Sequence, residues 1–316
     1  MRPARVLYAL AVLLALGLPW LRVYPVFMMK LLCFAMFACA YNLLLGFGRM
    51  LSFGHAAFFG SAAYATCWLV TAHGVDSGLA IAAGTAVAAA LGLVIGGIAI
   101  RRRGIYFAMI TLALGQLVYF VCLEAPFTGG ENGLQGVARG WLFGLVPLRS
   151  DMVMYYLVLA AFGAVFVFIR RVVHSPFGQV LSAIRENEAR ALSLGYDINR
   201  YKLLAFVLSA TLAGLAGSLK SLVLGFATLT DVQQSTSGEV SLMTLLGGTG
   251  TFFGPVVGAA LVVTLQEYLS DIVGGWVTAI IGVIFVACVL SFRRGIVGEL
   301  AALRLRRAAG RDLLER

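Results

Sequence analysis

Apolar stretches of bilayer-crossing length follow one another along almost the whole chain, and this pattern constrains the fold more than any single motif. A span needs about 20 apolar residues to cover a hydrocarbon core of about 30 Å at about 1.5 Å per residue. Such stretches occupy residues 6–21, 26–47, 56–72, 79–100, 105–123, 152–169, 203–224 and 275–291. A further one, 239–270, is broken by Gly247-Gly-Thr-Gly-Thr-Phe-Phe-Gly-Pro255 and reads either as two short spans or as one re-entrant hairpin. With 61% of residues hydrophobic and 12% charged, the chain carries more apolar surface than a soluble core can hide, since soluble domains are about half apolar and a quarter charged. The expected fold is all-α: one transmembrane domain over 1–316, a polytopic helical bundle of about 8–10 spans with Gly-interrupted helices. The opening Met1-Arg-Pro-Ala-Arg5 and the apolar run after it read as an uncleaved first span, because no convincing small-residue cleavage site follows.

The 24 basic residues outnumber the 14 acidic ones, for a net charge of +10, and sit in short clusters between apolar runs: Arg101 to Arg103, Arg170 with Arg171, Arg200 with Lys202, Arg293 with Arg294. A nucleic-acid surface would gather them on one face with interleaved aromatics, so no nucleic-acid partner is expected. Membrane flanks look like this instead, with Lys and Arg concentrated on the cytoplasmic side. With the amino terminus inside, the outer segments hold five basic residues, Arg22, Lys30, Arg139, Arg149 and Lys220, and the inner ones hold the rest. Both termini, the Arg101–Arg103 turn, the loop 172–202 and the tail 292–316 are then cytoplasmic, and the loop 124–151 faces out.

The spans offer little to an enzyme. Cys33, Cys39, Cys67, Cys122 and Cys288 lie inside apolar runs without a C-x-x-C pair or a Cys/His cluster, so no metal site is expected. No nucleophile–base pairing stands out, and no G-x-x-x-x-G-K-[ST] motif occurs, so ATP is not hydrolysed here by that route. Carboxylates fall near span ends (Glu124, Glu239, Glu267, Asp271), which argues against a stand-alone ion-coupled transporter. His55 is the histidine close to a membrane segment and reads as either a packing residue or part of a path.

Energy for transport would have to arrive from another polypeptide, and the loop 172–202 offers a place. Ser175-Pro176 is a helix start, with a capping hydroxyl and a proline suited to the first turn; Gly195 is a stop. Between them Phe177, Val180, Leu181, Ile184, Leu192 and Leu194 put apolar surface on a water-facing segment beside Arg185, Glu186, Glu188 and Arg190. The segment either folds back on the membrane surface or docks a soluble partner.

Two segments share a design of apolar helix halves around a glycine-rich break: Asn42–Ala57, with Gly46, Ser52, Gly54 and His55, and Leu245–Gly258, with Gly247, Gly248 and Gly250. Freed backbone groups at membrane depth are tolerated where they line a cavity or are buried in protein. The breaks therefore mark either a transport path or tight helix packing. Outside, Thr128-Gly-Gly-Glu-Asn-Gly-Leu134 is a polar turn-forming cluster, an outer mouth or an ordinary turn.

Seven blocks in order resemble the permease subunits of branched-chain amino-acid ABC importers, the LivM type. They are Asn42–Ala57 with Phe58-Phe-Gly60, Arg103–Ala108 leading to Thr111–Gly115, Thr128–Gly130, Ser175–Glu188, Tyr201–Phe206, Leu246–Pro255 and Arg294–Gly298, across about four-fifths of the chain. The resemblance implies an ABC importer permease fold in a bacterial cytoplasmic (inner) membrane. It implies a second related permease subunit, two ATPase subunits that carry the ATP, an extracytoplasmic substrate-binding protein and surrounding membrane lipid. No cofactor would be bound by this chain. The ATPase-coupling loop would comprise Ser175, Pro176, Phe177, Gly178, Leu181, Ile184, Arg185, Glu186, Asn187, Glu188, Ala189 and Gly195. The stretch Glu188-Ala189…Gly195 is similar to the Glu-Ala-Ala…Gly loop of such importers, with Arg190 in place of the second Ala and the Gly one position later. The translocation path would draw on Asn42, Gly46, Ser52, Gly54, His55, Thr111, Gln116, Gly247, Gly248 and Gly250, and the outer mouth on Thr128, Gly129 and Gly130. The solute implied is a branched-chain or related small amino acid, with urea or short amides as the alternative.

Overall fold

The computed structural model describes residues 24–144, 146–276, 279–284, 286 and 295–299. The span expected at 6–21 lies outside the described residues, as do most of 275–291 and of the tail 292–316. Ten α-helices run through the described part: α1 (Pro25–Asn42, prolonged by a π-helical turn Leu43–Phe47), α2 (Ala56–His73), α3 (Ser77–Ala99), α4 (Ile105–Glu124), α5 (Asp151–His174), α6 (Pro176–Glu186), α7 (Glu188–Ser193), α8 (Ile198–Leu224), α9 (Gln234–Gly247) and α10 (Gly254–Val273). Five of these segments are long and apolar enough to cross a membrane: Pro25–Phe47, Ser77–Ala99, Ile105–Glu124, Asp151–His174 and Ile198–Leu224. The molecule is a multi-pass membrane protein.

Helix α2 is not one of the five. It was expected as a span at 56–72, and Ser61, Tyr64 and Thr66 lower its apolarity. Its surroundings explain this, because α3 and α8 cover it and most of its residues are buried in protein. Helix α8 lies at the centre, packed on α1, α2 and α3, while α5, α9 and α10 pack on the other side of α1. The peripheral α3 and α4 turn Leu93, Val94, Ile98, Leu117 and Phe120 outward, as lipid-facing helices do.

Small residues set the inner spacing. A Cβ on Gly84 would run into Thr66 Oγ1 and Ser218 Oγ, one on Gly92 into Ala210, and one on Gly214 into Ala88. Membrane helices gain no hydrophobic drive from meeting each other, so close backbone approach and van der Waals contact supply the attraction.

The apolar stretch 239–270 resolves as an antiparallel pair. Helix α9 has 14 residues, about 21 Å, too short to span; α10 has 20, about 30 Å. The loop 124–151 holds two short 3₁₀ turns and a hairpin, β1 (Trp141–Leu142) with β2 (Val146–Pro147), which the periodicity did not predict. One count needs correction: Lys220, assigned to an outer segment, is buried within α8 with both Asp231 carboxylate oxygens 2.7 Å from its Nζ.

Candidate functional site: a glycine junction and two cavities

Helix α6 begins as its residues dictate. Ser175 Oγ accepts from the Gly178 N–H at 3.4 Å and Pro176 takes the first position. Gly178 is required there, since a Cβ would collide with the carbonyls of Val172 and Val173. The expectation of one helix from Ser175 to Gly195 is corrected. Asn187 is extended (φ −155°, ψ 102°), and its Oδ1 accepts from the Arg190 N–H at 3.0 Å, starting a second helix. An Asn side chain that competes for backbone N–H groups favours a cap over a helix interior.

The break divides the apolar surface. Leu181 and Ile184 are buried, and Phe177 stacks on Tyr201 with ring centroids 5.7 Å apart. Leu192 and Leu194 remain 60% and 68% exposed, next to Gly195, whose φ of +85° ends the turn. Glu186 and Ala189 are exposed. Arg185 Nη1 donates to the Gly46 carbonyl at 2.9 Å, and Glu188 bridges Lys202 and Arg103, the latter with Nε 3.0 Å from Oε2. The two short helices, the Arg101–Arg103 turn and the start of α8 thus form one end of the bundle.

The two glycine-rich breaks meet each other at that end. Asn42 Oδ1 accepts from the Gly250 N–H at 3.0 Å and Asn42 Nδ2 donates to the Thr251 carbonyl at 2.9 Å. A Cβ on Gly46 would strike Asn42 and the Gly250 backbone; one on Gly247 would strike Gly254. Gly248 sits where α9 ends, with φ +117°, a backbone that favours glycine. Of the expected path residues, Asn42, Gly46, Ser52, Gly54, His55, Thr111, Gly247 and Gly248 are buried in packed protein, and Gly250 is partly covered. His55 is enclosed by Phe37, Tyr41, Phe58 and Phe206, with Nε2 3.0 Å from Ser209 Oγ.

Gln116 has a different setting. It lies a little past the middle of α4 and lines an open cavity of about 440 Å³ with Phe53, Tyr119, Gln233, Gln234, Ser235 and Gly238. Helix α9 therefore starts at mid-depth beside Gln116 and runs to the junction with Gly46. No side chain caps its first turn, so the positive end of its dipole opens toward the cavity. Its lining carries amides, hydroxyls and rings, and no charged side chain.

A second cavity, of about 610 Å³, lies at the end of the bundle that carries α6 and α7, between the loop 48–53, the start of α4, and α6. Arg49, Arg102, Arg103, Arg185 and Lys202 line it against Glu186 and Glu188, a surplus of positive charge. At the opposite end, Thr128 Oγ1 donates to the Cys122 carbonyl at 2.6 Å, and Gly129 and Gly130 take positive φ in consecutive tight turns. Leu134 then pairs with Ala227, with backbone N–H groups donating at 2.9 Å in both directions, which fixes the connection leading into α9.

A sequence model described as "Branched-chain amino acid transport system / permease component" matches residues 26–289, most of the chain and all of these elements. The chain belongs to this family. It is 33% identical over 208 residues to the high-affinity branched-chain amino acid transport system permease protein LivM of Salmonella typhimurium, covering 58% of this chain and 49% of that one. The same figures hold for LivM of Escherichia coli. A probable branched-chain amino acid transport permease protein LivM of Methanocaldococcus jannaschii is 28% identical over 199 residues, 58% of this chain and 54% of that protein. The chain spans about half the length of the curated relatives it matches. No solved structure matches it.

Sequence reasoning missed several residues of these sites. Gln233, Gln234 and Ser235 stand in a polar run, Gln-Gln-Ser-Thr-Ser, between apolar segments, and that run was the available signal. Phe53 gave no signal, since a lone aromatic in a glycine-rich loop reads as packing.

Proposed function

We propose that the chain is the solute-conducting permease subunit of an ATP-driven importer, with the end that carries α6 and α7 docking partners in the cytoplasm and the α4–α9 cavity on the solute path. One observation carries this: in a chain of this family, an uncharged polar cavity sits at mid-depth against the open start of a half-length helix. A zwitterionic amino acid needs partners for its charged groups without fixed counter-charges that would hold it too tightly. The α9 N-terminus suits the carboxylate. The Gln116, Gln233 and Gln234 side-chain oxygens suit the ammonium, and Phe53 and Tyr119 offer apolar walls for a branched side chain.

The exposed Leu192 and Leu194 belong against a soluble ATPase subunit, because this end faces water and apolar side chains there gain from cover. The basic clusters at that end favour a cytoplasmic position for it, in a protein of the bacterial inner membrane. A related second permease subunit and an extracytoplasmic binding protein complete the reading. The same amides would also bind a urea-like solute, so competition decides the substrate. Labelled leucine uptake is measured in vesicles holding the assembled importer, with unlabelled valine, isoleucine or urea in excess. The expected result is ATP-dependent uptake inhibited by valine and isoleucine and unaffected by urea. Uptake that continues without the ATPase subunits and collapses with the ion gradient would make the chain a secondary transporter instead.

A further inference from the structure

The two cavities lie in series along α4, and one side chain belongs to both. Phe107 and Ala108 line the basic cavity, and Gln116 and Tyr119 line the neutral one. Between these levels, Gly54 lies flush on the helix: a Cβ on Gly54 would enter the Thr111 carbonyl and meet Gly115 Cα, and one on Gly115 would meet Gly54 Cα. No space for a solute exists at this contact. Phe53, the residue before Gly54, lines both cavities. From Ala108 to Gln116 is about 12 Å along the helix, so the barrier is two turns thick.

We infer that Phe53 is the gate that closes the solute path on its arginine-lined side, and that α6 controls it through Arg185. The inference rests on the proposed transport function and adds the residue that separates the two compartments. The loop carrying Phe53 is tied at both ends. On one side, Tyr41 Oη donates to the Ser52 carbonyl at 3.1 Å, and Arg185 holds the Gly46 carbonyl in the π-helical turn that leads into the loop. On the other, the Ala56 N–H donates to Ser237 Oγ at 2.8 Å, in the first turns of α9. Arg49, at φ +52°, holds a left-handed backbone that a non-glycine residue adopts at a cost, within the segment that would have to move. A displacement of α6 thus reaches the turn that leads into the loop through a single hydrogen bond. Glycine on both sides of the Gly54–Gly115 contact leaves backbone surfaces that can part without repacking side chains. Beyond the gate, the cationic lining of the basic cavity favours the carboxylate end of a departing amino acid.

The test uses a chain with its five cysteines replaced by alanine and Gln116→Cys introduced, in membranes holding the assembled importer without nucleotide. An impermeant thiol reagent is added to right-side-out or to inside-out vesicles. With Phe53 intact, the cysteine reacts from the outer face and is protected from the cytoplasmic face. Phe53→Ala, and the milder Phe53→Leu, raise the cytoplasmic labelling rate by on the order of tenfold, a shift of the closed–open population. Arg185→Gln, which removes the hold on Gly46, raises it in the same direction. Cytoplasmic labelling that stays at the parent rate in both Phe53 variants overturns the gate while leaving the transport reading intact. A cysteine that reacts from neither face removes the cavity from the path and takes both readings with it.

Discussion

Asn42 and Gly250 are 208 positions apart in the chain, yet the Asn42 side chain accepts the Gly250 N–H at 3.0 Å, while its Nδ2 donates to the next carbonyl. This one amide satisfies two backbone groups freed by the glycine break in the second half of the chain. It does so from the end of α1, one turn before Gly46 frees a carbonyl of its own for Arg185. The breaks are each other's partners, and that is how irregular backbone is tolerated at this depth.

Asn42→Leu leaves both groups without partners in a buried site. An orphaned buried polar group costs about 1–3 kcal/mol. The variant is expected to lose several degrees in the melting temperature of the detergent-purified complex. An unchanged melting curve would mean the junction contributes nothing to the fold.

Glycines that share a composition signal differ in what they tolerate. Gly54→Ala drives a methyl into the Thr111 carbonyl, where no flexible side chain can yield, and should cost about 1–3 kcal/mol or more. Gly163→Ala on α5 meets open space and should be neutral or gain about 0.5–1 kcal/mol from helix propensity. Thermal unfolding of the two variants side by side checks the contrast, which equal effects would refute.

Lys220 and Asp231 form a pair whose side chains are 5% and 7% exposed. Asp231→Asn leaves a buried ammonium without a counter-charge, and breaking such a pair costs about 3–5 kcal/mol. Adding Lys220→Met should return most of that loss, because the amide can still accept from the Thr228 N–H that Asp231 now caps. A double-mutant cycle on melting temperature measures the coupling; additive losses would dissolve the pair.

Leu192→Glu and Leu194→Glu change exposed side chains and should leave the isolated chain as stable as before. Under the proposed function they abolish copurification of the ATPase subunits and uptake with it. Full recovery of the complex would move the docking surface elsewhere.

The span pattern made the fold class legible, because apolar length is set by bilayer thickness and needs no tertiary information. Helix starts written in local chemistry, such as Ser175-Pro176, were legible too. Asn187 is a cap by its own chemistry, but the sequence offers helix formers on both sides of it, and the ion pairs of the next residue, Glu188, with Lys202 and Arg103 join segments far apart in the chain. The burial of α2 was only faintly legible: Ser61, Tyr64 and Thr66 lower its apolarity, but its Ala, Gly and Phe look the same whether protein or lipid surrounds them. The seven-block resemblance pointed to the family, which the match over residues 26–289 shows independently. The path residues were the least legible part: glycine breaks announce departures from helix without saying whether the space is filled. Gln116 faces a cavity because α9 happens to start opposite it, a relation between residues 118 positions apart.

Helices α2, α3 and α8 touch through Gly84, Gly92 and Gly214, almost backbone to backbone. Surfaces mated so closely cannot slide by exchanging rotamers, so the three should travel as a single plank through any working stroke. Spin labels on the lipid side of α3 and on the exposed positions of α8 would then keep one separation in every nucleotide state. They would serve as a fixed ruler against which displacement of α4, α6 and the loop between α1 and α2 is read.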